Sequence, residues 1–145
     1  MILTDTNVLV YAINTDAPQH TASRKFVEAV QQKNIDSVLP VQVLLEFYAI
    51  VTDHRRVTRP LEPETAWKQV NALRAIFPVI DGGLKSFDLL KEISLKTKGA
   101  DIFDAYLVAQ MKACGVSLLC TYNIKDFSRF EGILAQTPEE ILARS

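Results

Sequence analysis

The chain is short of the residues on which many reaction chemistries and many small folds depend. It has two cysteines, Cys114 and Cys120, six apart in KACGVSLLCT, with no C-x-x-C spacing and no histidines beside them. That excludes a disulfide framework and a thiolate zinc site, and both are expected to be buried free thiols. The two histidines, His20 and His54, stand apart from the acidic elements described below, and no G-x-S-x-G occurs. A serine or thiol nucleophile with a histidine base is therefore not expected. Five glycines in 145 residues form neither a Walker A loop nor a G-x-G-x-x-G turn, which argues against nucleoside-triphosphate or dinucleotide binding. Neither sign of charge dominates: the formal net charge is -1, so a nucleic-acid ligand needs a local basic patch. No apolar run approaches the ~20 residues that span a bilayer. With Asp5 so near the start and no basic stretch before it, no signal peptide is expected, and a cytoplasmic protein is. Repeats and low-complexity linkers are absent as well, which predicts one domain over residues 1–145.

What is present is apolar sequence in two rhythms. ILT at 2–4, then Asp5, then Val8, Leu9, Tyr11 and Ala12 predict a strand, a sharp turn and a helix capped by Thr6 or Asn7. HTASRKFVEAVQQKN places Ala22, Phe26, Ala29 and Val30 on one helical face, and IDSVLP reads as a second strand stopped by Pro40. Residues 41–53, VQVLLEFYAIVTD, are apolar almost all round and predict a helix buried on most sides, with Glu46 in its middle. A helix with Ala66, Val70, Leu73 and Phe77 on one stripe follows, then a strand in FPVID and a helix SFDLLKEISLKTK ended by Gly99. DIFDAYLVAQMKACG is a further helix stopped at Gly115, followed by the strand VSLLCT and a turn at YNIKDF. Strands alternating with helices predict an α/β fold whose parallel sheet is covered on both faces. In such sheets ligands gather at the carboxyl ends of the strands, where Asp5 lies.

Three acidic residues do not read as surface. Asp5 ends an apolar strand, Glu46 sits within an apolar helix, and Asp104 lies in FDAYLVAQM one turn before Val108. Buried unpaired carboxylates are costly, and like charges ~5 Å apart repel by about 3 kcal/mol at an effective dielectric of ~20. If the three meet, a divalent cation relieves them. Each has a plainer alternative: Asp5 caps the next helix, Glu46 faces water on a narrow polar stripe, and Asp104 is an acidic residue of a first helical turn. For Asp101, three residues before Asp104, helix capping is the favoured explanation. Asp126 either reaches the same rim as Thr121 and Asn123 or caps the segment FSRF. Oxygen donors without histidine or thiolate suit Mg²⁺ or Mn²⁺ rather than zinc. Acidic clusters of this type activate water for attack on phosphorus.

DTNVLVYAI, LLEFYAIVTDHRRV and DIFDAYLVAQMKACGVSLLCTYNIKDFSRF, in this order and spacing, resemble the PIN domain, in particular the VapC-type toxins of toxin–antitoxin pairs. The resemblance spans nearly the whole chain. It implies a three-layer α/β/α sandwich with a mainly parallel sheet and a Mg²⁺-dependent endoribonuclease that leaves a 5′-phosphate and a 3′-hydroxyl. It implies acidic ligands at Asp5, Glu46 and Asp104, with Thr6 and Asn7 beside the first and Asn7 orienting it. Asn123 departs from the family pattern, where an aspartate is common, so that either Asp126 substitutes or three carboxylates and an amide suffice. Arg55, Arg56 and Arg59 are the expected RNA contacts, with Arg24 and Lys25 second, although Arg55 and Arg56 also suit a helix C-terminus. The resemblance further implies a homodimer and a small VapB-type antitoxin that inserts a segment into the active-site groove. The helices at 41–51 and 66–77 are expected either to face such partners or to pack in the core.

Overall fold

Five short strands align in parallel in the order β3-β2-β1-β4-β5. They are β1 (Ile2–Thr4), β2 (Ser37–Pro40), β3 (Val79–Ile80), β4 (Leu118–Cys120) and β5 (Leu134–Gln136) in a computed structural model that describes residues 1–145. The register pairs Leu3 with Val38 on one side and with Leu119 on the other. Leu3, Leu39 and Leu119 are wholly buried, as expected of strands covered on both faces.

Helices fill every crossover: α1 (Thr6–Ile13) and α2 (His20–Gln31), α3 (Val41–Val51) and α4 (Pro63–Ile76), then α5 (Gly83–Ile93) and α6 (Ile102–Ala113). α7 (Ile124–Phe127) and α8 (Pro138–Arg144) follow. Crossovers from β1 to β2 to β3 run one way along the sheet, whereas β3 to β4 runs back. Right-handed connections therefore set α1–α4 on one face and α5 and α6 on the other. The expected α/β/α sandwich is the result. The chain reverses its direction of travel at the boundary between β1 and β4, and the crevice at the carboxyl ends of those two strands is where an open α/β sheet offers a binding site.

Phe26, Phe47, Phe77 and Phe127 are the largest buried side chains of the core, and truncating a phenylalanine in such a position costs about 3–5 kcal/mol. The stripe Ala66, Val70, Leu73 and Phe77 is buried as its spacing predicts. Elsewhere packing overrides the sequence pattern. The cap of α1 is Asp5 rather than Thr6 or Asn7. Along α3 only Val43, Leu44, Phe47 and Val51 are buried, while Val41 and Leu45 face solvent. The helix is thus one-sided, because the sheet and α1 cover a single face of it. α5 ends at Ile93, well before Gly99, which opens a 3₁₀ turn instead. Cys114, at the C-terminal end of α6, is exposed and Cys120, on β4, is buried; Gly115 beyond the helix has a φ of 71°. β5 and α8 extend the fold beyond the elements read from the sequence. The start of α8 carries a capping box between Thr137 and Glu140, with Pro138 in its first turn.

Candidate active site

Asp5 leaves the end of β1 and caps the first turn of α1, the plainer of the two roles considered for it, while lying buried at the carboxyl edge of the sheet. Its Oδ1 accepts from the Thr6 backbone N–H at 2.8 Å, a helix cap. Its Oδ2 accepts from the Thr121 hydroxyl at 2.8 Å and from Asn7 Nδ2 at 3.3 Å. Thr121 follows β4, so the carboxylate bridges the two strands that flank the reversal point. Asn7 is locked in turn: its Oδ1 accepts from the Tyr122 backbone N–H at 3.1 Å, which fixes its amide with the nitrogen toward Asp5. The Thr121 oxygen also accepts from the Asn123 backbone N–H at 3.0 Å. Asp5 is 7% exposed. Burial, followed by the charges of Glu46 and Asp104, pushes its carboxyl up to about 6 against the hydrogen bonds from Thr121 and Thr6.

Glu46 projects from α3 toward the same edge. Thr6 Oγ1 donates to its Oε2 at 3.1 Å and Gln42 Nε2 to its Oε1 at 2.8 Å. Thr6 thus links the two acids, its backbone on Asp5 and its hydroxyl on Glu46. Asp104 stands in the first turn of α6, half-buried, and burial raises its carboxyl above the ordinary range. Arg129 works against that rise, and Asp126, Asp101 and Glu46 add to it. Asp101 does not cap α6 with its side chain. It shares Arg129 with Asp104, each at 3.3 Å. Asp126 lies within α7, exposed, and its side chain makes no hydrogen bond; it does not cap FSRF, yet its charge reaches Asp104. Asn123 is exposed at the start of α7 and does not cap it with its side chain.

The carboxylates therefore share one rim and sense one another, but no three His, Cys, Asp or Glu side chains lie close enough to enclose an ion. Neither Asp5 nor Glu46 has a basic partner, and Arg129 is the one cation bonded to any acid of the rim. Hard oxygen donors, a buried carboxylate without a counter-charge and open spacing fit a small divalent cation that keeps several of its waters and takes one or two carboxylates directly. They do not fit a closed four-ligand cage.

Two of the three arginines expected to contact RNA are paired with other acids. Arg55 is paired with Asp53 at 3.1 Å, and Arg59 with Asp16 at 2.7 Å. Asp16 lies past the C-terminal end of α1, roughly 10 Å of helix away from Thr6 at 1.5 Å per residue. Arg56 is exposed without an ion pair. Sequence reasoning missed Arg129, Gln42 and Gln110. Gln110 had a signal of the kind that exposed Glu46, a polar residue inside an apolar run, and Gln42 stands one helical turn before Glu46.

Comparison with known proteins identifies the family and the fold. The sequence model of one family, the PIN domain, matches residues 2–133. The VapC ribonuclease Mb2897 of Mycobacterium bovis is 33% identical over 113 residues, 75% of this chain and 77% of that protein. Ribonuclease VapC24 of Mycobacterium tuberculosis is 29% identical over 140 residues, 90% of this chain and 91% of that one. Among solved structures, VapBC2 from Rickettsia felis bound to a promoter DNA fragment superposes with a TM-score of 0.71 at 22% identity, covering 94% of this chain and 98% of its own. The Mycobacterium tuberculosis toxin VapC20, which cleaves the sarcin-ricin loop, superposes at 0.66 and 17% identity over 92% and 98%.

Proposed function

Because the chain belongs to the PIN domain family, we propose that it is a divalent-metal-dependent endoribonuclease, the toxin of a toxin–antitoxin pair. The observation that carries this is Asp5: a carboxylate 7% exposed, bonded on both oxygens, with no cation beside it and two further acids near it. A position that costs stability and is held this rigidly has the character of a working site. The names of the sequence relatives, VapC ribonucleases at up to 33% identity, favour RNA as the substrate.

Asp5 and Asp104 are the direct ligands in this proposal, and Glu46 holds the ion directly or through water. When bound, Mg²⁺ or Mn²⁺ supplies charge against the scissile phosphate and acidifies water, so no histidine base is needed. The protein's own part is orientation. Thr121, Asn7 and the Thr6 backbone hold Asp5, and the Thr6 hydroxyl and Gln42 hold Glu46. Arg129, over the Phe130 ring at 4.9 Å, is the cation placed to receive a phosphate oxygen once Asp101 and Asp104 release it. Asp126 adds negative charge at the rim. Partner chains, a second copy and an antitoxin, fit the exposed apolar side chains Val41, Leu45 and Trp67 on α3 and α4. No helix is long and apolar enough to cross a membrane.

A second reading, a module that binds RNA or protein without cutting, is favoured by the amide at Asn123. Incubating the purified protein with structured RNA and Mg²⁺ or Mn²⁺, beside Asp5→Asn, separates the two. Cleavage that is lost in the variant supports the nuclease. Binding without cleavage under every ion supports the module, and cleavage unchanged in the variant removes Asp5 from the site.

A further inference from the structure

Gln110 is 1% exposed in the middle of α6, surrounded by apolar positions. A carboxamide buried so deeply is costly unless it is paired. Its Nε2 donates to Gln42 Oε1 at 2.8 Å, and Gln42 Nε2 donates to Glu46 Oε1 at 2.8 Å and to the Phe103 carbonyl at 3.1 Å. The direction of this chain is forced. The Phe103 backbone carbonyl can only accept, so the Gln42 nitrogen must face it and Glu46, and the Gln42 oxygen must face Gln110. With Thr6 Oγ1 on the other oxygen of Glu46, the carboxylate is held at both ends.

Phe103 immediately precedes Asp104. Gln42 therefore joins Glu46 on α3 to the backbone beside Asp104 on α6, spanning helices on opposite faces of the sheet. The surroundings are shaped for this. Gly82 has φ -67° and ψ -42°, which any residue adopts, but a Cβ there would collide with the Tyr106 hydroxyl and come within 3.4 Å of Gln110 Oε1. With Tyr106 as it stands, the glycine leaves room for its ring beside Gln110.

We infer that Gln110 and Gln42 form a two-amide relay that positions Glu46 against Asp104, making both glutamines positioning residues of the site. This rests on the nuclease reading above for its consequence, though not for its geometry. Gln110→Met keeps the buried volume and removes the donor. In ion-free protein, NMR should show the Gln42 side-chain amide protons exchanging faster with solvent by roughly tenfold, while the urea midpoint stays near that of wild type. The Mn²⁺ concentration that half-saturates thermal stabilisation should rise roughly tenfold, the scale on which outer-shell partners act, and kcat on RNA should fall with KM little changed. In a Glu46→Gln background the same substitution should alter Mn²⁺ affinity no further. Unchanged Gln42 exchange, or an equal loss of Mn²⁺ affinity in the Glu46→Gln background, overturns the relay. If Gln110→Met does not fold, Gln42→Met at its half-buried position is expected to weaken Mn²⁺ binding in the same way, and undiminished affinity there overturns the relay too. A wild-type protein that neither binds Mn²⁺ nor cuts RNA defeats the nuclease reading, and the amide-exchange result still decides the relay.

Discussion

The Thr121 hydroxyl donates to Asp5 Oδ2 at 2.8 Å, joining residues 116 apart in sequence across the ends of β4 and β1. The same oxygen accepts from Asn7 and from the Asn123 backbone, so one hydroxyl organises the whole reversal point. Thr121→Val keeps the shape and removes all three bonds. It should lower stability by about 1–3 kcal/mol, the cost of leaving buried polar groups unpaired, whereas Thr121→Ser should remain near wild type. Urea unfolding of the pair checks this. Equal stability of the valine and serine variants would contradict it.

The raised carboxyl of Asp5 has a consequence for pH. Its folded-state value of about 6 lies above the ordinary 3.8, so the protonated form favours the fold. The stability it contributes is complete below the unfolded value near 3.8 and is lost as pH rises through 6. A shift of this size is worth about 3 kcal/mol. Asp5→Asn should therefore be more stable than ion-free wild type at pH 7.5, by about 1–2 kcal/mol once the weaker bonds to Asn7 and Thr121 are subtracted. Below pH 4 the protonated wild type regains about 3 kcal/mol that the variant cannot, so the order should reverse and the variant should be the less stable by about 1–2 kcal/mol. Chemical denaturation of both proteins across that range measures it.

Divalent ions should reverse the penalty. An ion that binds only the folded protein stabilises it by about 2.7 kcal/mol at a concentration a hundredfold above Kd. Mn²⁺ should thus raise the Tm of wild type at pH 7.5 and EDTA should abolish the rise. Asp5→Asn and Asp104→Asn should show little of either. A Tm gain that survives in both variants would place the ion elsewhere.

Arg129 and the arginines after α3 should behave differently. The Arg129 pairs with Asp101 and Asp104 are more than a third exposed, so Arg129→Gln should cost no more than about 1 kcal/mol of stability. As the cation on the acidic rim, its loss should raise KM for RNA roughly tenfold, as removal of a charge-assisted contact does. Arg55→Gln and Arg59→Gln, whose charges are spent on Asp53 and Asp16, should change KM less than twofold at moderate salt. Kinetics on one RNA decides, and the reverse ranking would return the RNA path to the end of α3.

Expression should also report on the site. If the chain is a toxin, its expression should arrest growth, and Glu46→Gln should relieve the arrest while folding normally, since both glutamate oxygens are bonded in a half-buried position that an amide can occupy. Relief by Gln42→Met but not by Glu46→Gln would be inconsistent with the proposed roles.

What the sequence determined by itself is everything governed by local pattern or by a gross cost. Apolar runs a few residues long, broken by helical spacing, dictate parallel strands with crossover helices. An aspartate after ILT and a glutamate within VQVLLEFYAIV are conspicuous because burying charge is expensive wherever it occurs. Local rules failed where several neighbours compete. The one-sided burial of α3 and the early end of α5 depend on which face the sheet covers. β5 is only three residues long, whereas α8 does carry a local signal in the Thr137–Glu140 capping box. Only the tertiary structure decided which partners the acids have. Thr121 on Asp5, Gln110 through Gln42 on Glu46, and Arg129 between Asp101 and Asp104 join residues 25 to 116 positions apart. Such pairings have no period in the sequence, because they are made by the order of the strands and the hand of their crossovers.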